Sequence, residues 1–148
     1  MSDAPTDLRA TCSVAAAWLH AQRVVGHFAL VLALLAGLVL LSGHASTLAA
    51  LLASTVLVLA PVERYFALRL AFDRDLFDAW SRGTLDGDGI DTAFARLRLA
   101  APPVQARPLD DRIAGASRLH RKHLAIALAQ AALLGGALLD FVFATPAR

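Results

Sequence analysis

The chain has 148 residues, enough for one domain, of which 57% are hydrophobic and only 18% charged. Fourteen basic residues stand against twelve acidic ones, a balance too even to argue for a nucleic-acid partner. The single cysteine, Cys12, excludes both an internal disulfide and a cysteine-built zinc site.

The charges are unevenly spread. The 39 residues from Val24 to Val62 contain no Asp, Glu, Lys or Arg. A water-soluble fold must cover its surface with polar groups, whereas a lipid-facing surface accepts Leu and Val. The expectation is therefore an all-α polytopic membrane protein. It has three transmembrane helices and a helical cytosolic segment between the second and the third. Dominance of Ala, Leu and Arg suggests, by association only, a bacterial chain from a GC-rich genome.

Residues 1–23 read as an N-terminal cytosolic segment. A polar start containing Pro5 leads to Ser13, an N-cap for an interfacial helix through Trp18 and His20. The first span, about residues 24–41, covers roughly 27 Å, close to the ~30 Å hydrocarbon core. Ser42-Gly43-His44-Ala45-Ser46 then supplies turn chemistry. Read as one helix, residues 24–62 would be about 58 Å long, so a hairpin over 24–66 is the better reading. Its second span covers about residues 46–65. Pro61 inside it leaves the Leu57 carbonyl without an amide partner, which predicts a kink near the membrane edge.

Residues 67–122 form the cytosolic helical segment. Tyr65, Leu68, Phe72, Leu76 and Trp80 recur at helical spacing, and Arg69–Asp73, Arg74–Asp78 and Asp78–Arg82 can pair at i, i+4. Asp86-Gly87-Asp88-Gly89 ends this helix. It misses the calcium-loop pattern, because Ala95 stands where the bidentate Glu belongs. Asp91 caps a short helix, Thr92 to Ala100, with Phe94, Leu97 and Leu99 on its apolar side, and Pro102-Pro103 breaks the chain. Pro108, Asp110 and Asp111 suit the start of a last long helix. Its third span covers 123–144, and 145–148 is a periplasmic tail.

Orientation follows from the basic residues, which accumulate on the cytosolic side. The turn between the first two spans has none, while Glu63 to Lys122 contains eleven. This places the N-terminus inside, in the cytosol of a bacterial inner membrane, and the C-terminus outside. Gly43-His44-Ala45 resembles a cleavage site, but the preceding apolar run exceeds the ~7–15 residues of a signal-peptide core. The first span is expected to be retained.

With this topology, six residues fall near the cytosolic boundary. His20, Arg23 and His27 share a helix face, Glu63 lies at the exit of the second span, and His120 and His123 lie at the entry of the third. His27, Glu63, His120 and His123 are a chemically reasonable metal-ligand set, and a protonatable His–Glu cluster could relay protons. The bland alternatives are polar residues collected at an interface, or a site for anionic headgroups. The leading expectation is that Glu63 pairs with a nearby cation across helices, with no cofactor.

Small residues recur at four-residue spacing: Ala29, Ala33 and Gly37; Ala50 and Ser54; Ala125 and Ala129; Ala132 and Gly136. They let helix backbones approach within the chain or between protomers. Gln130 should find an interhelical hydrogen bond, and Asp140 could reach water or His44. Phe66, Phe72, Phe77 and Trp80 form an expected partner surface. No phosphate loop, nucleophile elbow or paired catalytic carboxylate is present. The functional expectation is a non-enzymatic accessory, assembly or scaffold subunit of a larger membrane complex, partnered by the lipid bilayer and by other membrane-protein subunits or itself. Two alternatives stand beside it: a small homo-oligomeric channel or transporter with a polar path through His27, Glu63 and Gln130, and a membrane enzyme using the His–Glu cluster.

Overall fold

The computed structural model describes residues 4–84, 89, 92, 95, 96, 98 and 108–144. Most of these residues are helical, with no strand among them. The elements are α1 (Ala4–His20), α2 (Gln22–Leu41), α3 (Thr47–Ser81) and α4 (Leu109–Ala144). Three stretches are long and apolar enough to cross a membrane: Asp7–Leu41, Thr47–Ser81 and Leu109–Phe143. The short helix expected from Thr92 to Ala100, with Phe94 and Leu97, the Pro102-Pro103 break and the 145–148 tail lie outside the described residues, apart from isolated positions.

Helix ends follow local chemistry. α1 begins nine residues before the expected Ser13 cap, with Pro5 in its first turn, where a missing amide hydrogen costs nothing. Ser13 is an exposed interior residue of this helix. α2 ends at Ser42, whose amide bonds the Leu38 carbonyl at 3.0 Å, and Gly43 takes a left-handed φ of 68°. Ser46 caps α3, its hydroxyl accepting the Ala49 amide at 3.1 Å. α3 then runs through Pro61 without a break in helical conformation. It ends in a Schellman motif, with Thr84 N–H on the Ala79 carbonyl at 3.1 Å and Gly83 N–H on Trp80 at 2.9 Å. Gly83 has φ 72°, and a Cβ there would meet the Arg9 guanidinium at 3.0 Å. That guanidinium sits where a helix C-terminus favours positive charge. α4 starts after Pro108, whose carbonyl accepts the Arg112 amide at 3.3 Å, with Asp110 and Asp111 in the first turn.

The chain divides into two compact units. One groups residues 1–21 with 69–119. Its core is Cys12, Ala15, Ala16 and Leu19 of α1, Leu70, Phe77 and Trp80 of α3, and Ala116 of α4. Two of the expected partner-surface aromatics, Phe77 and Trp80, are therefore buried in the chain's own core, because α1 and α4 cover them. Phe66 is half-buried and Phe72 exposed. The apolar stripe expected along α3 does not face inward as a whole. Tyr65 and Leu68 are exposed, and the inward line is Glu63, Leu70 and Phe77 at heptad spacing. Arg69 pairs with Asp73 at 3.7 Å and Arg82 with Asp78, but Arg74 turns to its neighbour Asp75 at 2.6 Å.

The second unit groups residues 22–68 with 120–148. Its buried positions recur mainly by fours and threes along each helix: Gln22, Gly26, Ala29, Ala33 and Ala36 on α2, with Leu32 and Val39 beside them; Ala49, Ala53, Val56 and Glu63 on α3; His123, Ala127, Gln130, Leu134 and Ala137 on α4. That is the spacing of a left-handed helical bundle. Half of these residues are alanine or glycine, so the helices approach closely. Gly136 meets Leu52 closely: a Cβ on this glycine would lie 3.3 Å from Leu52 Cδ1. Of the twenty-five exposed large apolar side chains among the described residues, twenty-one belong to this unit.

Candidate functional site: a buried polar cluster

Four polar side chains are buried among the described residues, Gln22, Glu63, His123 and Gln130, and all belong to the second unit. Three of them form one cluster. α3 places Glu63 on the inward heptad face two turns beyond Val56. α4 places His123 one helical step before Ala127. α2 places Gln22 one step before Gly26. Glu63 is 1% exposed and His123 0%.

His123 Nε2 lies 2.7 Å from Glu63 Oε1, and its Nδ1 lies 3.3 Å from Gln22 Oε1. The other end of the Gln22 amide, Nε2, lies 3.2 Å from His120 Nε2. Arg64 Nε forms an ion pair with Glu63 Oε2 at 3.0 Å, and Arg64 donates a hydrogen bond across to the Gly26 carbonyl. Arg64 thus holds the carboxylate and ties α3 to α2 at once. The approach is close because α2 carries glycine here: a Cβ on Gly26 would lie 3.8 Å from Glu63 Oε1. An ionised carboxylate in an apolar interior is costly without a cation or water. Here a guanidinium and an imidazole meet it from two sides.

The structure brings together part of the expected cluster. Glu63 and His123 touch, and His120 joins them through Gln22. His20, Arg23 and His27 lie on the exposed face of their helices. Among the described residues, no three His, Cys, Asp or Glu side chains are grouped as a metal ion would need. The donor atoms of Glu63 and His123 are engaged with protein partners, so the cluster is not read as a metal centre. Gln22 was not singled out from the sequence. The signal was available: the Ala29–Ala33 stripe, extended back at heptad spacing, passes through Gly26 and reaches Gln22.

Lower in the same bundle, Gln130 donates to the Val56 carbonyl at 3.3 Å, an interhelical bond. Asp140 accepts the Ser46 hydroxyl rather than meeting His44, which folds back onto the Ser42 carbonyl at 2.5 Å. Ser46 therefore caps α3 and holds α4 with one hydroxyl. The small residues divide: Ala29 and Ala33 are buried and Gly37 half-buried, whereas Ser54, Ala125, Ala129 and Ala132 are exposed. A Cβ on Gly37 would meet nothing within 4 Å.

In the other unit, a cleft of about 260 Å³ is lined by Arg69, Asp73, Phe77, Trp80, Asp111 and Arg112. The Arg112 guanidinium lies 5.9 Å from the Trp80 ring centroid. Burial pushes the Asp73 carboxyl up from its ordinary value, and the Arg69 charge partly offsets this. Burial also pushes up the Cys12 thiol, which leaves it protonated and inert.

The chain matches no family model, no curated protein and no solved structure.

Proposed function

We propose that this chain is a three-span protein of a bacterial inner membrane, with its N-terminus cytosolic and its C-terminus periplasmic. In this reading it serves as a non-enzymatic accessory, assembly or scaffold subunit of a larger membrane complex. The observation that carries the membrane part is the direction of burial in the second unit. Among the described residues, the inward face carries alanine, glycine, the polar cluster and only four large aliphatic side chains, Leu32, Val39, Val56 and Leu134, while Leu34, Leu38, Leu41, Leu51, Val58, Leu128 and Leu139 are all exposed. Water penalises such a surface, at about 25 cal/mol per Å² of apolar area, and lipid does not.

The subunit part rests on what remains uncovered and what is closed. Val14 and Trp18 of α1 line an apolar groove of about 450 Å³ with Ile113 of α4, and Phe72 is exposed on α3. The buried carboxylate and imidazole are sealed by protein partners, which fits fastening of helices better than an open polar path for a solute.

Reporter fusions test the topology. A reporter after Arg148 should be periplasmic and one inserted near Gly87 cytosolic; a shared compartment removes the three-span reading. Gentle detergent extraction from native membranes tests the role. Stoichiometric co-purification of other membrane subunits supports it, and a pure homo-oligomer moves the reading to a channel or transporter.

A further inference from the structure

The polar cluster specifies its own protonation. An amide oxygen and an ionised carboxylate oxygen have no hydrogen to donate. His123 faces one of each, Gln22 Oε1 at 3.3 Å and Glu63 Oε1 at 2.7 Å. With Glu63 ionised, both ring nitrogens must carry hydrogen, and His123 is an imidazolium. If Glu63 holds that proton instead and donates it to Nε2, the pair contains the same number of protons. Either way it binds one proton more than a neutral imidazole beside a carboxylate.

Gln22 determines the other half. Its NH₂ group faces His120 Nε2 at 3.2 Å, so that nitrogen accepts and is bare. Turning the amide end for end moves no heavy atom appreciably and reverses each role. The NH₂ then faces His123 Nδ1, which must be bare, and the oxygen faces His120 Nε2, which must carry hydrogen. The two amide orientations therefore match two proton placements. In one, His123 is charged and His120 is bare at Nε2. In the other, His123 is neutral, with Nε2–H on Glu63, and His120 is protonated at Nε2.

We propose that Glu63, His123, Gln22 and His120 form a proton-binding relay, in which a proton held by the buried Glu63–His123 pair is exchanged with the half-buried His120 as the Gln22 amide turns over. At fixed proton count one proton leaves His123 Nδ1 and one arrives on His120 Nε2; as pH rises His120 gives its Nδ1 proton to solvent and keeps Nε2–H, so the second state holds one proton fewer, with no change in oxidation state. Arg64 Nε stays 3.0 Å from Glu63 Oε2 and supplies a counter-charge to the pair in both states. Among the described charged groups nearby, Arg23 and His27 on α2 are exposed, Arg64 on α3 pairs with Glu63, and Arg121 and Lys122 on α4 are exposed beside His120. This goes beyond the subunit reading and rests on the geometry of the second unit alone.

The test uses the full-length chain, labelled with ¹⁵N-histidine and held in phosphatidylcholine nanodiscs. Ring ¹⁵N shifts separate imidazolium from each neutral tautomer. Between about pH 5 and 8, His123 should pass from doubly protonated to the Nε2–H form, and His120 should change at Nε2 in the same step. Gln22→Met keeps the volume but removes the amide, and the two rings should then change at separate pH values. Glu63→Gln should lower the imidazolium population of His123 at least tenfold at a given pH. A wild-type His123 that keeps one protonation form across that range overturns the relay, and so do rings that still change together in Gln22→Met. The wild-type measurement decides the matter even if a variant fails to fold.

Discussion

The two units of this chain share α3 and α4, yet they sort their residues in opposite ways. Residues 1–21 and 69–119 bury Leu19, Leu70, Phe77 and Trp80 and leave charges outside. Among the described residues, 22–68 and 120–148 bury alanines, a carboxylate, an imidazole and two amides beside Leu32, Val39, Val56 and Leu134, and leave most of their Leu, Val and Phe outside. The first pattern is that of hydrophobic burial in water. The second is the pattern expected where lipid surrounds the helices, since apolar side chains then gain little by facing inward and helices associate through close backbone contact and polar bonds. Within α3 the change occurs between Leu68, which is exposed, and Leu70, which is fully buried.

The comparison is tested hardest at its polar core. Glu63→Ala leaves His123 and Arg64 facing a cavity without their counter-charge. Breaking a buried pair in this way should cost about 3–5 kcal/mol, read as unfolding in a graded detergent series. Replacing both Glu63 and His123 with Leu should recover part of that loss. A Glu63→Ala variant as stable as wild type would mean that the second unit is held by packing alone.

Matched truncations sharpen the contrast. Leu70→Ala in the first unit should cost about 3 kcal/mol, because it opens a cavity in a packed core. Leu34→Ala and Leu139→Ala in the second should each change stability by less than about 0.5 kcal/mol in a bilayer, because both side chains already face outward. Equal losses at the three sites, measured by unfolding in lipid, would erase the distinction between the units. The opposite substitution makes the same point: Ala36→Leu should cost about 1–3 kcal/mol by forcing the helices apart.

This sorting explains what could and could not be read from the sequence. The two apolar helices and the turn at Ser42–Ser46 were legible because a charge-free run of this length, broken by turn residues, is read most simply as two helices. Glu63 was legible as a residue that must find a cation, since any carboxylate beside an apolar run carries that requirement. Its actual partners were not, because a heptad line through Gln22 and Gly26 is set by how three helices meet. The amphipathic reading of Tyr65, Leu68 and Phe72 failed for a related reason. It assumed one inward face determined by side-chain apolarity, whereas the exposed positions of this helix are also apolar. Phe77 and Trp80 looked unpartnered because the helix after Ser13 was read as lying at the membrane interface. Cys12, Ala15, Ala16 and Leu19 of α1 share one core with them instead.

The smallest expected effect concerns the charged unit alone. Asp73 is partly buried beside Arg69, and desolvation raises its carboxyl above the ordinary value despite that neighbour. A raised folded-state value means the native state binds a proton more readily than the unfolded chain does. This contribution to stability is therefore greatest at low pH, and is lost as pH rises from the unfolded value through the folded one. Other carboxylates titrate in the same range, so the quantity to measure is the difference between wild type and Asp73→Asn. Asparagine keeps the shape and cannot ionise. Melting temperatures taken from about pH 4 to pH 7 should show the variant gaining on wild type as pH rises. A constant or shrinking difference would mean that the Arg69 pair, and not burial, governs this carboxylate.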